Sequence, residues 1–198
     1  MAREKDESKR EAILAAAKRL FAERGFKGAS VSDIVEPLGM PVGSVYTYFE
    51  NKDDILSSLI EEGWAEFEAG LEEAVRAEAD PARRLSLVVK RFLPELLRDE
   101  ELVTLILIEA PRVTDLGAKL ERLATLIAGL VVDAAASKGV AIDFPPLQAA
   151  AALSVFFLGS LDTMRLSRRV GLPVGEAEVL GFIEMAIKSS FGLELPDV

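Results

Sequence analysis

Four hydroxyl-bearing residues crowd into one short run: Ser44, Tyr46, Thr47 and Tyr48, with Lys52 close behind. Hydroxyls and an ammonium in such a cluster suit hydrogen bonds to phosphate oxygens and to base edges. Competing chemistries are thinned by two absences. The 198-residue chain has no cysteine and no histidine. Thiolate catalysis, Ser-His-Asp and Cys-His nucleophiles and the commonest zinc sites are therefore excluded. Carboxylate or lysine catalysis has no motif here. The expectation is a protein that is no enzyme and needs no cofactor or metal.

The hydroxyl run needs a scaffold, and the surrounding residues describe one. Ser30 with Asp33 three residues on reads as a capping box opening a helix over about 31–38. Pro37 falls late in that helix and predicts a short or tightened last turn. Gly39 supplies a tight turn where a positive φ is expected. A further helix follows over about 42–49, with Pro41 at or near its first position. Val45 and Phe49 lie four apart on it and point into a small core. Asn51 caps the next, longer helix, with Lys52, Asp53 and Asp54 in its first turn. Upstream, Ser8-x-x-Glu11 predicts a first helix starting near Ser8, buried along Ile13, Ala17, Leu20 and Phe21 and closed by Gly25.

Gly25-Phe26, Val31, Ile34, Gly39, Gly43-Ser44-Val45-Tyr46, Tyr48-Phe49 and Lys52 together resemble the helix-turn-helix of the TetR family of transcriptional regulators. The resemblance spans about a quarter of the chain, roughly residues 8–56. It implies that Lys27, Ser30, Ser32, Pro41, Val42, Gly43, Ser44, Tyr46, Thr47, Tyr48 and Lys52 form the DNA-binding surface. Tyr46, Tyr48 and Lys52 are then phosphate contacts. Gly43 costs roughly 1 kcal/mol in a helix against alanine, and close backbone approach to DNA is a reason to have it. The sequence departs from the family at Pro41 and Val42, where serine and lysine are common, so which bases are read stays open; Val42 can meet a thymine methyl. Arg3, Lys5, Lys9 and Arg10 read either as phosphate or minor-groove contacts or as a solvated basic arm.

Charge is distributed to match. The net charge is −10, yet residues 1–52 hold nine Lys/Arg against eight Asp/Glu, a net +1, and the remainder carries the acidity. A patch this nearly neutral predicts moderate, salt-sensitive DNA affinity. The mostly charged first eleven residues show no signal peptide, and the cytoplasm is the expected location.

Everything after Lys52 reads as helix: to about Ala79, over 81–98 with a kink at Pro94, over 101–110, from Asp115 to near Gly139, over 146–169 and over 175–191. The predicted architecture is all-α with about nine helices. Residues 1–52 form a three-helix helix-turn-helix domain, and residues 53–198 form a helical ligand-binding and dimerisation domain. Residues 144–161 carry no charge. Two prolines, Gln148, Ser154, Ser160 and many alanines argue for a helix buried on all sides rather than a membrane span. A second subunit would cover its outer side, giving a homodimer through Ala150, Leu158, Phe182, Ile183, Ala186 and Ile187. TetR-family members resemble this arrangement, and in them the remaining helices enclose a small-molecule pocket. Its candidate lining here is Trp64, Phe67, Phe92, Leu105, Glu109, Arg112, Phe156 and Phe157, although plain core packing explains most of these equally well. Glu109 and Arg112 also fit as a structural pair. The reading is a repressor released from a pseudo-palindromic operator on double-stranded DNA by a small, largely apolar effector. The alternative is a helical dimeric interaction protein that has lost specific DNA binding.

Overall fold

The computed structural model describes residues 2–98, 103, 105 and 108–198, with only the backbone of residues 2–6, 157, 158, 161 and 165. Among the described residues the fold is all-α, with ten α-helices and no strand. They are α1 (Ala2–Gly28), α2 (Val31–Val35), α3 (Val42–Val45), α4 (Lys52–Ala77), α5 (Pro81–Leu87), α6 (Leu93–Arg98), α7 (Ala110–Val113), α8 (Leu116–Ser137), α9 (Pro146–Val170) and α10 (Glu176–Phe191). The helix expected over 101–110 lies mostly outside the described residues. No described helix is long and apolar enough to cross a membrane.

Several boundaries differ from expectation for local reasons. Ser8 does not start the first helix: α1 runs through it from Ala2, because Arg3, Glu4 and Lys5 are good helix formers and nothing breaks the chain between. The regular part of α1 does end at Gly25, at φ 71°. Pro37 sits in a 3₁₀ turn, Glu36–Leu38, which is the tightened last turn its missing amide requires. Pro94 follows a local change of helix geometry. The turn before it, Val88–Phe92, widens to a π turn in which the Leu93 amide reaches back to the Val88 carbonyl, making room for the proline ring. Pro111 opens α7 rather than only stopping the preceding segment, since a helix's first turn tolerates proline.

The chain divides into two compact units, Met1–Phe67 with Asp99–Leu116, and Glu68–Arg98 with Gly117–Val198. In the first, Ile13, Ala17 and Phe21 of α1 are buried with Ile34, Val35, Val45, Phe49, Ile55, Leu56 and Ile60. In the second, Val89, Val179 and Ile183 form one buried cluster, with Leu93, Phe156, Met164, Val174, Ile187 and Leu195 packed around it. A second cluster joins Ala124 and Ala128 of α8 to Ala149 of α9.

The α9–α10 corner turns at Gly171, at φ 71°. Ser167, 2% exposed, organises it: its hydroxyl donates to the Leu172 carbonyl and accepts from the Val174 amide at 3.1 Å. Ser167→Ala removes both bonds from a corner whose Leu172 is exposed and Val174 half-buried. The expected cost is about 0.5–1.5 kcal/mol, read as a lower urea midpoint at unchanged slope.

Candidate nucleic-acid interface

Helices of five and four residues are too short to stand alone in water, so α2 and α3 depend on caps and anchors. The predicted capping box is present. The Asp33 amide donates to Ser30 Oγ at 3.2 Å, and Asp33 Oδ2 accepts from the Ser30 amide at 2.8 Å and from Ser30 Oγ at 2.5 Å. These bonds hold the Asp33 carboxyl below its usual value near 3.8, chiefly through the Ser30 hydroxyl. Gly39 turns the chain at φ 62°. Pro41 is the N-cap of α3, one position earlier than a first helical residue, and its carbonyl accepts from both the amide and the hydroxyl of Ser44, at 2.9 and 2.6 Å. α3 is shorter than the expected 42–49. Its end tightens through Tyr48 N donating to the Val45 carbonyl, three residues back, at 2.9 Å. Val45 and Phe49 are 1% and 2% exposed and fix the pair of helices to the core as predicted.

This leaves a polar face outward. Pro41, Val42, Gly43, Tyr46 and Thr47 are exposed, as are Lys27, Ser30 and Ser32, while Ser44 and Tyr48 are half-buried. A Cβ built on Gly43 meets nothing within 4 Å. Nothing inside the unit therefore demands glycine there.

Lys52 has a role that sequence reasoning missed. Its ammonium turns inward and donates to the carbonyls of Phe26 and Ala29, each at 2.7 Å, and sits 4.2 Å from the Phe26 ring centroid. A cation at a helix start opposes that helix's dipole, but here it neutralises carbonyls at the end of α1 instead. Behind it α4 is capped as expected: the Asp54 amide donates to Asn51 Oδ1 at 2.9 Å, and Asp54 Oδ2 accepts from the Glu50 amide at 2.8 Å. Arg10 is likewise engaged inside the unit. It forms a two-pronged pair with Glu62 of α4, one prong at 3.0 Å, and its guanidinium lies 5.4 Å from the Phe49 ring centroid.

The residues expected to line a pocket fall in both units. Trp64 (6% exposed) and Phe67 (half-buried) lie in the first, with ring centroids 6.1 Å apart. Leu105 is buried in the same unit, and Glu109 pairs with Arg112 at 3.4 Å. Arg112 also reaches Asp53 at 2.6 Å, at the opposite end of the α4 segment from Trp64, eleven residues and roughly 16 Å away. In the second unit Phe92 is buried and Phe156 half-buried. The Phe157 and Leu158 side chains lie outside the described residues. Of the expected dimer contacts, Ile183 points into its own unit's core and Ile187 packs against it. Ala150 packs on the α8–α9 cluster and Ala186 is half-buried. Phe182, 56% exposed, faces outward, and so do Met185, Leu147 and Val155. Period-3.6 spacing identified the two helices, but not which flank each presents.

Residues 13–59 match the model of the bacterial regulatory proteins, tetR family. The chain carries a TetR-family DNA-binding domain. Curated relatives include the fatty acid metabolism regulator protein of Bacillus subtilis, 36% identical over 90 residues, which are 46% of each chain. Another is the transcriptional repressor AcnR of Corynebacterium diphtheriae, 34% identical over 121 residues, 58% of this chain and 63% of that one. The chain thus spans about half to two-thirds of the length of these relatives. Solved structures share the fold over nearly the whole chain. FadR of Bacillus subtilis in complex with stearoyl-CoA superposes with a TM-score of 0.69, at 22% identity, over 90% of this chain and 95% of that one. A regulator from Saccharomonospora viridis in complex with choline gives 0.76, at 22% identity, over 93% and 97%.

The capping box makes an acid-side prediction. A carboxyl whose folded value is depressed stabilises fully above its unfolded value and loses that contribution as pH falls through the folded one. The Asp33 contribution should therefore be complete above about pH 4 and vanish below it. Asp33→Asn should flatten that part of the stability curve between about pH 5 and 2, measured by urea titration at each pH.

Proposed function

We propose that this chain is a DNA-binding transcriptional regulator that acts as a homodimer on a pseudo-palindromic operator and responds to a small, largely apolar effector. The observation that carries the reading is the outward polar face of the capped α2–α3 pair, held on a TetR-family scaffold. Tyr46 and Thr47 offer hydroxyls from it, and Val42 offers a methyl-sized apolar contact. Gly43 supports the case, because the open space around it leaves room for close approach of a backbone from outside. Phosphate contacts are few on a patch this nearly neutral, so base-edge and shape contacts carry much of the affinity.

Dimerisation rests on α9 and α10. Leu147 and Val155 of α9 and Phe182 and Met185 of α10 are each more than half exposed. They flank an apolar groove of about 310 Å³ lined by Val155, Phe156, Gly159, Val179 and Phe182. A patch of this kind is a poor surface to leave in water, and a second copy covers it. Two helix-turn-helix units then read half-sites about 34–36 Å apart. Effector response is supported by the fold, two examples of which were solved with a small molecule bound. Trp64 and Phe67 on α4 are the proposed effector contacts on the first unit.

Fluorescence anisotropy with DNA from upstream of the chain's own gene tests this reading. Saturable binding that weakens with salt and is relieved by an apolar effector supports it. Binding no tighter than to random DNA would leave the helical interaction protein as the better account. Two variants sharpen the test. Gly43→Ala should stabilise the free protein by up to about 1 kcal/mol while weakening operator binding, an opposition of signs that a purely structural glycine would not give. Phe182→Glu should convert the dimer to folded monomer in sedimentation and, with it, abolish tight operator binding.

A further inference from the structure

The segment 109–114 meets α4 along one stripe. Asp53, Ser57 and Glu61 are spaced four apart and so share a face of α4. Three successive residues engage them in order. Arg112 reaches Asp53 at 2.6 Å, the Ser57 hydroxyl donates to the Val113 carbonyl at 3.4 Å, and the Thr114 hydroxyl donates to Glu61. The Arg112 guanidinium, steadied by Glu109 at 3.4 Å, also lies 4.4 Å from the Phe26 ring centroid. That ring holds the Lys52 ammonium at 4.2 Å, and Lys52 is tied in turn to the Phe26 and Ala29 carbonyls. Two cations thus converge on one aromatic at the point where α1 ends, α2 is about to begin and α4 starts.

We infer that Arg112 is a positioning residue for DNA binding, acting through Asp53 and the Phe26–Lys52 contact to set the orientation of the α2–α3 pair; this rests on the DNA-binding reading above. Arg112 need not touch DNA. Ala29 immediately precedes the Ser30 cap, and Lys52 opens the helix that follows α3, so the contact grips the α2–α3 hairpin at both ends. The partners are exposed, with side chains 48% accessible for Arg112 and 56% for Asp53. Exposed pairs are individually weak. The ladder therefore biases the hairpin without being needed to fold it, and a weak ladder is easily shifted. Arginine suits the place better than lysine, because its planar fork grips a carboxylate while its face lies on a ring.

The test compares Arg112→Gln, Arg112→Lys, Asp53→Asn and the Arg112→Gln/Asp53→Asn double variant with the parent. Operator affinity of Arg112→Gln should fall about two- to thirty-fold, counting one weak pair in each of two subunits. The melting temperature should stay within about 4 °C of the parent. The slope of affinity against salt should not change, whereas a lost phosphate contact would reduce it by about 0.9 per subunit. Arg112→Lys should recover part of the affinity, and the double variant should bind no worse than Arg112→Gln. Hydrogen exchange without DNA gives an independent readout: Arg112→Gln should speed exchange in residues 30–52 and leave α8–α10 unchanged. If the parent binds no operator but this exchange effect appears, the positioning role stands and the DNA-binding reading falls. Unchanged exchange with unchanged affinity, a reduced salt slope, or additive losses in the double variant would each overturn the inference. If Arg112→Gln does not fold, Arg112→Lys and Asp53→Asn carry the same comparisons, and a failure of all three to fold would make Arg112 a structural residue and end the proposal.

Discussion

Two helices of five and four residues must present a defined surface, and neither can form a stable helix by itself. Their order is borrowed. Ser30 and Asp33 satisfy the first amides of α2, Val45 and Phe49 sink into the core from α3 and the turn after it, and Asn51 with Asp54 starts α4 cleanly. The Lys52 ammonium then closes the loop by binding the carbonyls of Phe26 and Ala29. A charged group hydrogen-bonded to two carbonyls is stronger than a neutral contact, and it holds together chain segments more than twenty residues apart. The polar face of α3 is only as well oriented as these anchors.

The second unit solves a different problem. Its helices are long enough to be stable through packing, and the difficulty is what to do with apolar surface. Val179 and Ile183 use one side of α10 against Val89 of the π turn, and Ala124, Ala128 and Ala149 let α8 and α9 approach closely. The closing turn at Ser167 and the tail after Gly192, where Lys90 donates to the Leu195 carbonyl at 3.0 Å, complete the packing. What is left over, on the outer flank of α9 and α10, is the apolar surface that a partner copy would cover.

Cations divide by their partners rather than by their positions in the chain. Arg10, Lys52 and Arg112 are drawn into carboxylates, carbonyls and aromatic rings. The near-neutral balance of the first 52 residues therefore understates how little of their positive charge faces outward, because part of it is spent in holding the unit together. Under the proposed DNA-binding reading, a surface with few phosphate contacts would gain much of its binding from the fit of α3.

Local chemistry was legible in the sequence, because it acts between residues a few positions apart. The Ser30–Asp33 box, the Gly39 turn, the tightening at Pro37, the Asn51 cap and the inward Val45 and Phe49 all follow from one turn of backbone and its hydrogen-bond needs. The all-α class and the places of the long helices follow from period-3.6 patterning in the same way. Where local signals overlapped, the reading slipped: Ser8 looked like the start of the first helix but lies inside α1, and the π turn before Pro94 was not announced by any local pattern. Tertiary structure decided the long-range partners of the long charged side chains. Lys52 chose carbonyls 26 and 23 residues back, and Arg112 added Asp53, 59 residues away, to the Glu109 partner that its sequence position offered. A flexible side chain ending in a charge has several partners in reach, and only the packed backbone determines which of them it meets. The same holds for Ile183 and Phe182, neighbours on α10 of which one is buried and the other exposed. Periodicity says that a helix has an apolar side, but where that side ends depends on what the rest of the unit places against it.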